Sequence, residues 1–278
     1  MVIQWYPGHM DKALREMKNN AKLVDAILYV LDARAPFSCL NPKFDTIIGE
    51  KPVIIVLNKA DLIGKEDLSR FEQYFKSKNI PIVALNSTIT NATKPIIESA
   101  GSLLRGKVER FRNKGVNIPL RLMVIGVPNS GKSTLINNVC GNKKTVTGDR
   151  PGVTRSNQWV KISNGFELLD TPGTLWPAFD NPQVARNLAY VGSIKDDVLD
   201  VEELAFAFIN DLRGKNFDAL RARYNLKIDN TAETIEIFDE ICKNRGFVLR
   251  GGEIDYNRGA RAILDDFRKG RIGKLVLD

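Results

Sequence analysis

One histidine and three cysteines among 278 residues leave little for soft-metal or thiol chemistry. Cys39, Cys140 and Cys242 are widely spaced, show no metal-ligand pairing and leave one thiol over in any disulfide scheme, which points to a reducing compartment. Long apolar runs are missing too. No stretch approaches the roughly 20 residues that span a bilayer, and the opening MVIQWYPGHMDK lacks the apolar core of a signal peptide. These absences lead to the expectation of a soluble cytoplasmic protein with no membrane span. Internal repeats and low-complexity tracts are also absent.

Charge is present in quantity, with 41 Lys and Arg against 33 Asp and Glu, a net +8. From residue 179 onward there are 16 basic and 18 acidic residues, so the first 178 hold 25 and 15. The surplus therefore belongs to the first part, and it suits an anionic partner such as nucleic acid. A local excess returns near the end, where residues 243–274 carry nine basic and four acidic side chains, among them Arg258, Arg261, Arg268, Lys269 and Arg271. That stretch reads equally as a solvated helix face or an RNA contact.

Apolar, β-branched runs alternate with helical patterns. AILYVLD (26–32), PVIIVLNK (52–59), IPIVAL (80–85) and LRLMVIG (120–126) suit strands buried on both faces of a parallel sheet. Helical spacing over 65–77 and 93–114 separates them, and a helix over about 132–139 follows the last. NQWVKIS and GFELLD alternate like an edge hairpin. The fold expected is a doubly wound, mostly parallel α/β sheet over 1–178. A small all-helical part over 179–278 follows, with helices over 200–212, 217–224, 231–244 and 258–269.

Residues 126–134 read GVPNSGKST, a phosphate loop placed after a strand and before a helix as that motif requires. Its backbone N–H groups, with Asn129, Ser130, Gly131 and Thr134, cradle phosphates; Lys132 reaches the terminal ones and Ser133 offers a hydroxyl to magnesium. The base is read by NKAD, residues 58–61. The carboxylate of Asp61 can accept from guanine N1 and N2, while Asn58 tethers the loop and the Lys59 stem covers the ring. ALNST follows at 84–88, where backbone near Asn86 and Ser87 faces the guanine oxygen. A lone NKxD also suits a turn with a helix cap at Asp61; joined to the other two motifs it specifies a guanine nucleotide. The order is permuted, since the guanine box precedes the phosphate loop.

DTPG, 170–173, closes a strand with a magnesium-side carboxylate, Asp170, and a glycine, Gly173, whose N–H can sense a γ-phosphate. Thr154, in GDRPGVTRS, is the hydroxyl placed to complete magnesium coordination. The glutamine that orients water in Ras-like proteins is missing, because Thr174 and Leu175 follow DTPG instead.

This motif order resembles the circularly permuted GTPases of the YlqF/YawG group. With YPGHM (6–10), DARAPFS (32–38) and the helical tail, the chain is most similar over nearly its whole length to the ribosome biogenesis GTPase A (RbgA/YlqF) type. The resemblance implies GTP hydrolysis in late maturation of the large ribosomal subunit, binding to rRNA or a precursor particle, and stimulation by it. No obligate protein partner is evident. It also implies a catalytic role for His9, the only histidine, which the residues alone read as well as a cap ahead of a helix beginning at Met10. Asn129 resembles the asparagine that coordinates potassium in cation-activated GTPases, or it steadies the loop. Arg34 and Arg155 are further conceivable charge donors, or solvated side chains. Two other functions stay open: a nucleotide-gated RNA scaffold with negligible hydrolysis, and an ATP-driven enzyme that NKAD disfavours.

Overall fold

The computed structural model describes residues 3, 8–89, 93–115, 118–141, 158–162 and 165–278. Its elements run α1 (Gly8–Ala21), β1 (Ala26–Asp32), α2 (Asp45–Ile48), β2 (Val53–Asn58), α3 (Lys65–Ser77), β3 (Ile82–Leu85), α4 (Thr93–Leu103), α5 (Arg105–Asn113), β4 (Leu120–Ile125), α6 (Lys132–Cys140), β5 (Gln158–Ile162) and β6 (Phe166–Asp170). The helical part continues as α7 (Pro182–Tyr190), α8 (Val201–Arg213), α9 (Phe217–Tyr224), α10 (Thr234–Arg245) and α11 (Tyr256–Arg268).

Six strands form one sheet in the order β3-β2-β1-β4-β6-β5. All neighbours are parallel except the edge hairpin β5–β6. Every residue of β1 is buried. Ile27, Tyr29 and Leu31 point into one core, and Ala26, Leu28 and Val30 into the other. A strand with helices on both faces has no polar side to present, which is why its sequence reads as an unbroken apolar run.

Residues of α4 and α6 cover one face through Ile96, Ala100, Leu135 and Ile136. The other face meets α1, α2 and α3 through Met10, Met17, Ile47, Phe71 and Phe75. That second core runs on without a break into the helical part, taking in Tyr190, Phe208, Ile263, Leu264 and Phe267. Parallel register aligns Asp32 with Asn58 and Tyr29 with Ile125. It therefore collects the carboxyl ends of β1, β2 and β4, the usual ligand edge of a doubly wound sheet, at one side of the molecule.

Several expectations are corrected. The helical stretch 93–114 is two helices, α4 and α5, joined at Leu104. Strand β3 begins at Ile82, not residue 80. Helix α7 is additional; its start was hidden by a proline-rich approach, although Asn181 accepts from Gln183 N and Pro182 stands at the first helical position, both ordinary start signals. Helix α1 begins at Gly8, so His9 lies within its first turn and not ahead of it.

Candidate functional site

The loop between β4 and α6 is shaped by residues that need left-handed backbone. Asn129 sits at φ +58° and Gly131 at φ +96°. A Cβ on Gly131 would lie 2.0 Å from the Asn58 side-chain nitrogen. That nitrogen is not free to yield. Asn58 donates to the Ser130 carbonyl at 2.7 Å, and its Oδ1 accepts from Ser87 N at 3.0 Å. One buried side chain thus ties the guanine box, ALNST and the phosphate loop together. Gly131→Ala should cost about 3 kcal/mol of stability through backbone strain and loss of these bonds, with roughly a hundredfold loss of GDP affinity; denaturant melts and fluorescent-nucleotide titration would read both, and wild-type affinity would overturn it.

Lys59, itself at φ +58°, donates to the Asn129 carbonyl at 2.8 Å and pairs with Asp32 Oδ2 at 2.8 Å. Asp61 is exposed beyond it, in a 3-10 turn. Asn86 Oδ1 accepts from Thr88 N and Oγ1, a local turn, while the Ser87 N–H is held by Asn58. Of the backbone near Asn86 and Ser87 expected to face the guanine oxygen, the Ser87 N–H is thus engaged by Asn58. It serves to fasten the loop.

At the phosphate end Lys132 is buried, and Nζ donates to Gly126 O at 3.1 Å and Val127 O at 2.9 Å. Burial pulls its pKa from 10.5 down to about 8, against the pull of Asp170. Asp170 is fully buried, and burial lifts its pKa from 3.8 up to about 6 although Lys132 opposes the rise. Ser133 Oγ approaches Asp170 Oδ2 at 3.5 Å; Asp170 Oδ1 is buried with no hydrogen-bond partner among the described residues. Two hard oxygen donors, one unsatisfied, suit a magnesium ion. Thr134 follows in the first turn of α6.

Gly173 passes so near this loop that a Cβ there would lie 2.7 Å from Pro128 backbone and 2.8 Å from Lys132 Nζ. The next residues are tied inward. Thr174 N donates to Gly126 O at 3.4 Å and its carbonyl accepts from Asn41 Nδ2 at 3.2 Å. Leu175 N donates to the sulfur of Met10 at 3.4 Å, so α1 packs directly on the chain that leaves DTPG. Thr154, Arg155 and the His9 side chain lie outside the described residues.

Two readings change. Arg34 is 1% exposed and is no charge donor to phosphate; it forks onto Asp32 through Nε at 2.9 Å and Nη2 at 2.7 Å. Arg268 is no part of a solvated patch either, since both its terminal nitrogens bind Asp196 at 2.7 and 2.8 Å and it donates to the carbonyls of Ala189 and Tyr190. Asp32 was missed by motif reading. The signal was an acid and a base two apart at a strand end.

The sequence profile of a 50S ribosome-binding GTPase matches residues 121–236. It begins in β4 because the guanine box lies upstream of the phosphate loop. Over its full length the chain is 41% identical to ribosome biogenesis GTPase A of Priestia megaterium, covering 97% of that protein, and 39% identical to that of Bacillus cereus, covering 94%. The chain belongs to the ribosome biogenesis GTPase A family. It is a GTPase, and its pocket binds guanine nucleotide. The GNP-bound structure of YlqF from T. maritima has the same fold, with a TM-score of 0.68 at 24% identity over 96% of this chain and 97% of that one. Among the described residues no helix is long and apolar enough to cross a membrane.

Proposed function

We propose that this GTPase of ribosome biogenesis assists late assembly of the large subunit, binding rRNA or a precursor particle and hydrolysing GTP faster when bound. What carries this reading is the contact between the nucleotide loop and the helical part: Asn129 Nδ2 donates to Gly192 O at 2.8 Å and Ser193 Oγ to Pro128 O at 2.7 Å. A loop that holds phosphates and also holds a neighbouring set of helices can change a surface when its ligand changes. The GTP state fixes the helices against the sheet and completes a basic surface for RNA. Equal affinity for large-subunit particles with GDP and with a non-hydrolysable GTP analogue would rule this out.

In the pocket, Asp61 and the Lys59 stem hold the base while Asn58 tethers the loops around it, Ser130, Gly131, Lys132 and Thr134 hold the phosphates, and Ser133, Asp170 and Thr154 would hold magnesium. Magnesium draws charge from the phosphate oxygens. A potassium ion held beside Asn129 would supply positive charge at the place where an arginine finger otherwise acts. His9 orients water. The support for His9 is positional: its neighbour Met10 receives Leu175 N–H two residues beyond Gly173. His9→Ala should lower particle-stimulated turnover about a hundredfold at unchanged GTP affinity, and stimulation should be larger in potassium than in sodium buffer. Unchanged turnover would remove His9 from catalysis; equal rates in the two salts would remove potassium.

A further inference from the structure

A second connection between pocket and helices does not pass through the γ-phosphate side. Asp32, at the end of β1, is a buried carboxylate between two cations. On one side is Lys59 at 2.8 Å, whose ammonium also holds the Asn129 carbonyl in the phosphate loop. On the other is Arg34, which grips Asp32 with two nitrogens and uses its remaining one to donate to Phe267 O at 3.2 Å and Arg268 O at 3.1 Å. These two carbonyls close α11; the Phe267 carbonyl also accepts from Gly270 N at 2.9 Å, so Arg34 adds a second bond to it. The Arg34 guanidinium also lies 4.9 Å from the Phe267 ring centre, and its own carbonyl accepts from Leu277 N at 2.8 Å.

We propose that Asp32 and Arg34 are positioning residues through which the helical part holds Lys59 in its guanine-reading place, so that filling the base site, by GDP as well as GTP, tightens the end of α11. Each member of this chain of contacts touches the next within hydrogen-bond distance. The Lys59 ammonium has two acceptors, the Asn129 carbonyl and Asp32 Oδ2, each at 2.8 Å. Burial by itself favours a neutral Asp32, but Arg34 and Lys59 hold its carboxyl below the ordinary range, so both partners meet a full negative charge. Removing either cation leaves that charge buried and under-compensated, which is the condition for strong coupling between neighbours.

The geometry also distinguishes this relay from the γ-phosphate switch. Lys59 covers the base, which GDP and GTP share. The relay therefore reports occupancy, whereas Gly173 reports the third phosphate. Reciprocity demands that whatever tightens α11 also tightens the nucleotide.

The test uses the full-length protein, GDP and a GTP analogue, with no ribosomal particle, so its failure is separate from failure of the assembly role. In the wild type, GDP and the analogue should each slow hydrogen exchange at the amides of Lys269, Gly270, Arg271 and Leu277 by about tenfold. In Asp32→Asn, both ligands should bind about tenfold more weakly by the same factor, and saturating GDP should no longer slow those amides. Arg34→Lys keeps a charge but not the fork, and provides the same comparison should Asp32→Asn fail to fold. Absence of slowing in the wild type overturns the proposal with or without variants. So does slowing of undiminished size in either folded variant, which would assign the coupling to the Asn129–Gly192 contact; slowing by the GTP analogue alone would assign it to Gly173.

Discussion

Lys132→Met should abolish tight GTP binding and, at the same time, raise the melting temperature of the nucleotide-free protein. The ammonium is buried against two carbonyls, with its pKa brought from 10.5 to about 8 by burial. A base with a lowered folded pKa binds its proton less well folded than unfolded. The penalty is therefore present below pH 8 and is relieved as pH rises from about 8 toward 10.5. At neutral pH it amounts to about 3 kcal/mol. Methionine fills similar space without charge, so the free protein should gain on the order of 5 °C near pH 7, and less at pH 10. With ligand the sign reverses. Loss of a buried cation from a phosphate site costs about 4 kcal/mol, or roughly a thousandfold in affinity. Calorimetric scans at two pH values and titration with a fluorescent GTP analogue decide the matter; a lower melting temperature at pH 7, or affinity within tenfold of wild type, would overturn the account.

Asp61→Asn should exchange the base preference. A carboxylate beside guanine accepts from two donors, N1–H and the N2 amino group, and charge-assisted bonds of this kind contribute about 1.5–3 kcal/mol each. An amide can keep one of them and presents its NH2 to the amino group for the other. GDP affinity should fall by roughly a hundredfold or more. Xanthine carries an oxygen where guanine carries the amino group, so xanthosine diphosphate should bind the variant better than GDP does. Asp61 is exposed and lies in a short turn, so stability should hardly move. Competition of the two diphosphates against a fluorescent probe measures the inversion. Retained GDP preference would mean that another group reads the base.

The sheet and the nucleotide pocket were legible because their requirements are local. A strand buried on both faces must be apolar along its buried length, as β1 and β2 are up to Asp32 and Asn58 and β4 is beyond the exposed Arg121, and a phosphate loop must place Gly131 and Lys132 within a few residues of each other. Parallel pairing then supplies the rest. What escaped the sequence depends on partners far along the chain. Arg34 read as a conceivable charge donor or a solvated side chain, because nothing nearby shows that the carbonyls of Phe267 and Arg268 will reach it. Arg268 was misread for the same reason, its acceptors lying at 189, 190 and 196. The backbone near Asn86 and Ser87 was expected to face the guanine oxygen, and nothing in the motif signals that one donor there, Ser87 N–H, is held by Asn58 29 residues upstream. Helix α7 was obscured by prolines that break a periodicity search but in fact mark its first turn.

Strand order also carries a timetable. β1, β2 and β3 are neighbours in sequence and in the sheet, so they can pair once residue 85 has emerged from a ribosome. The other side of β1 must wait for β4, with Tyr29 opposite Ile125. Asp170 comes later still, and the carbonyls that hold Arg34 come nearly last. At synthesis rates of about 5–20 residues per second, the guanine-reading loop exists for several seconds or more before the phosphate loop that it needs. During that time it carries an exposed strand edge and no ligand. GTP thus has no phosphate loop to bind until residues 126–134 have been made, and cannot assist the first half of the chain before then.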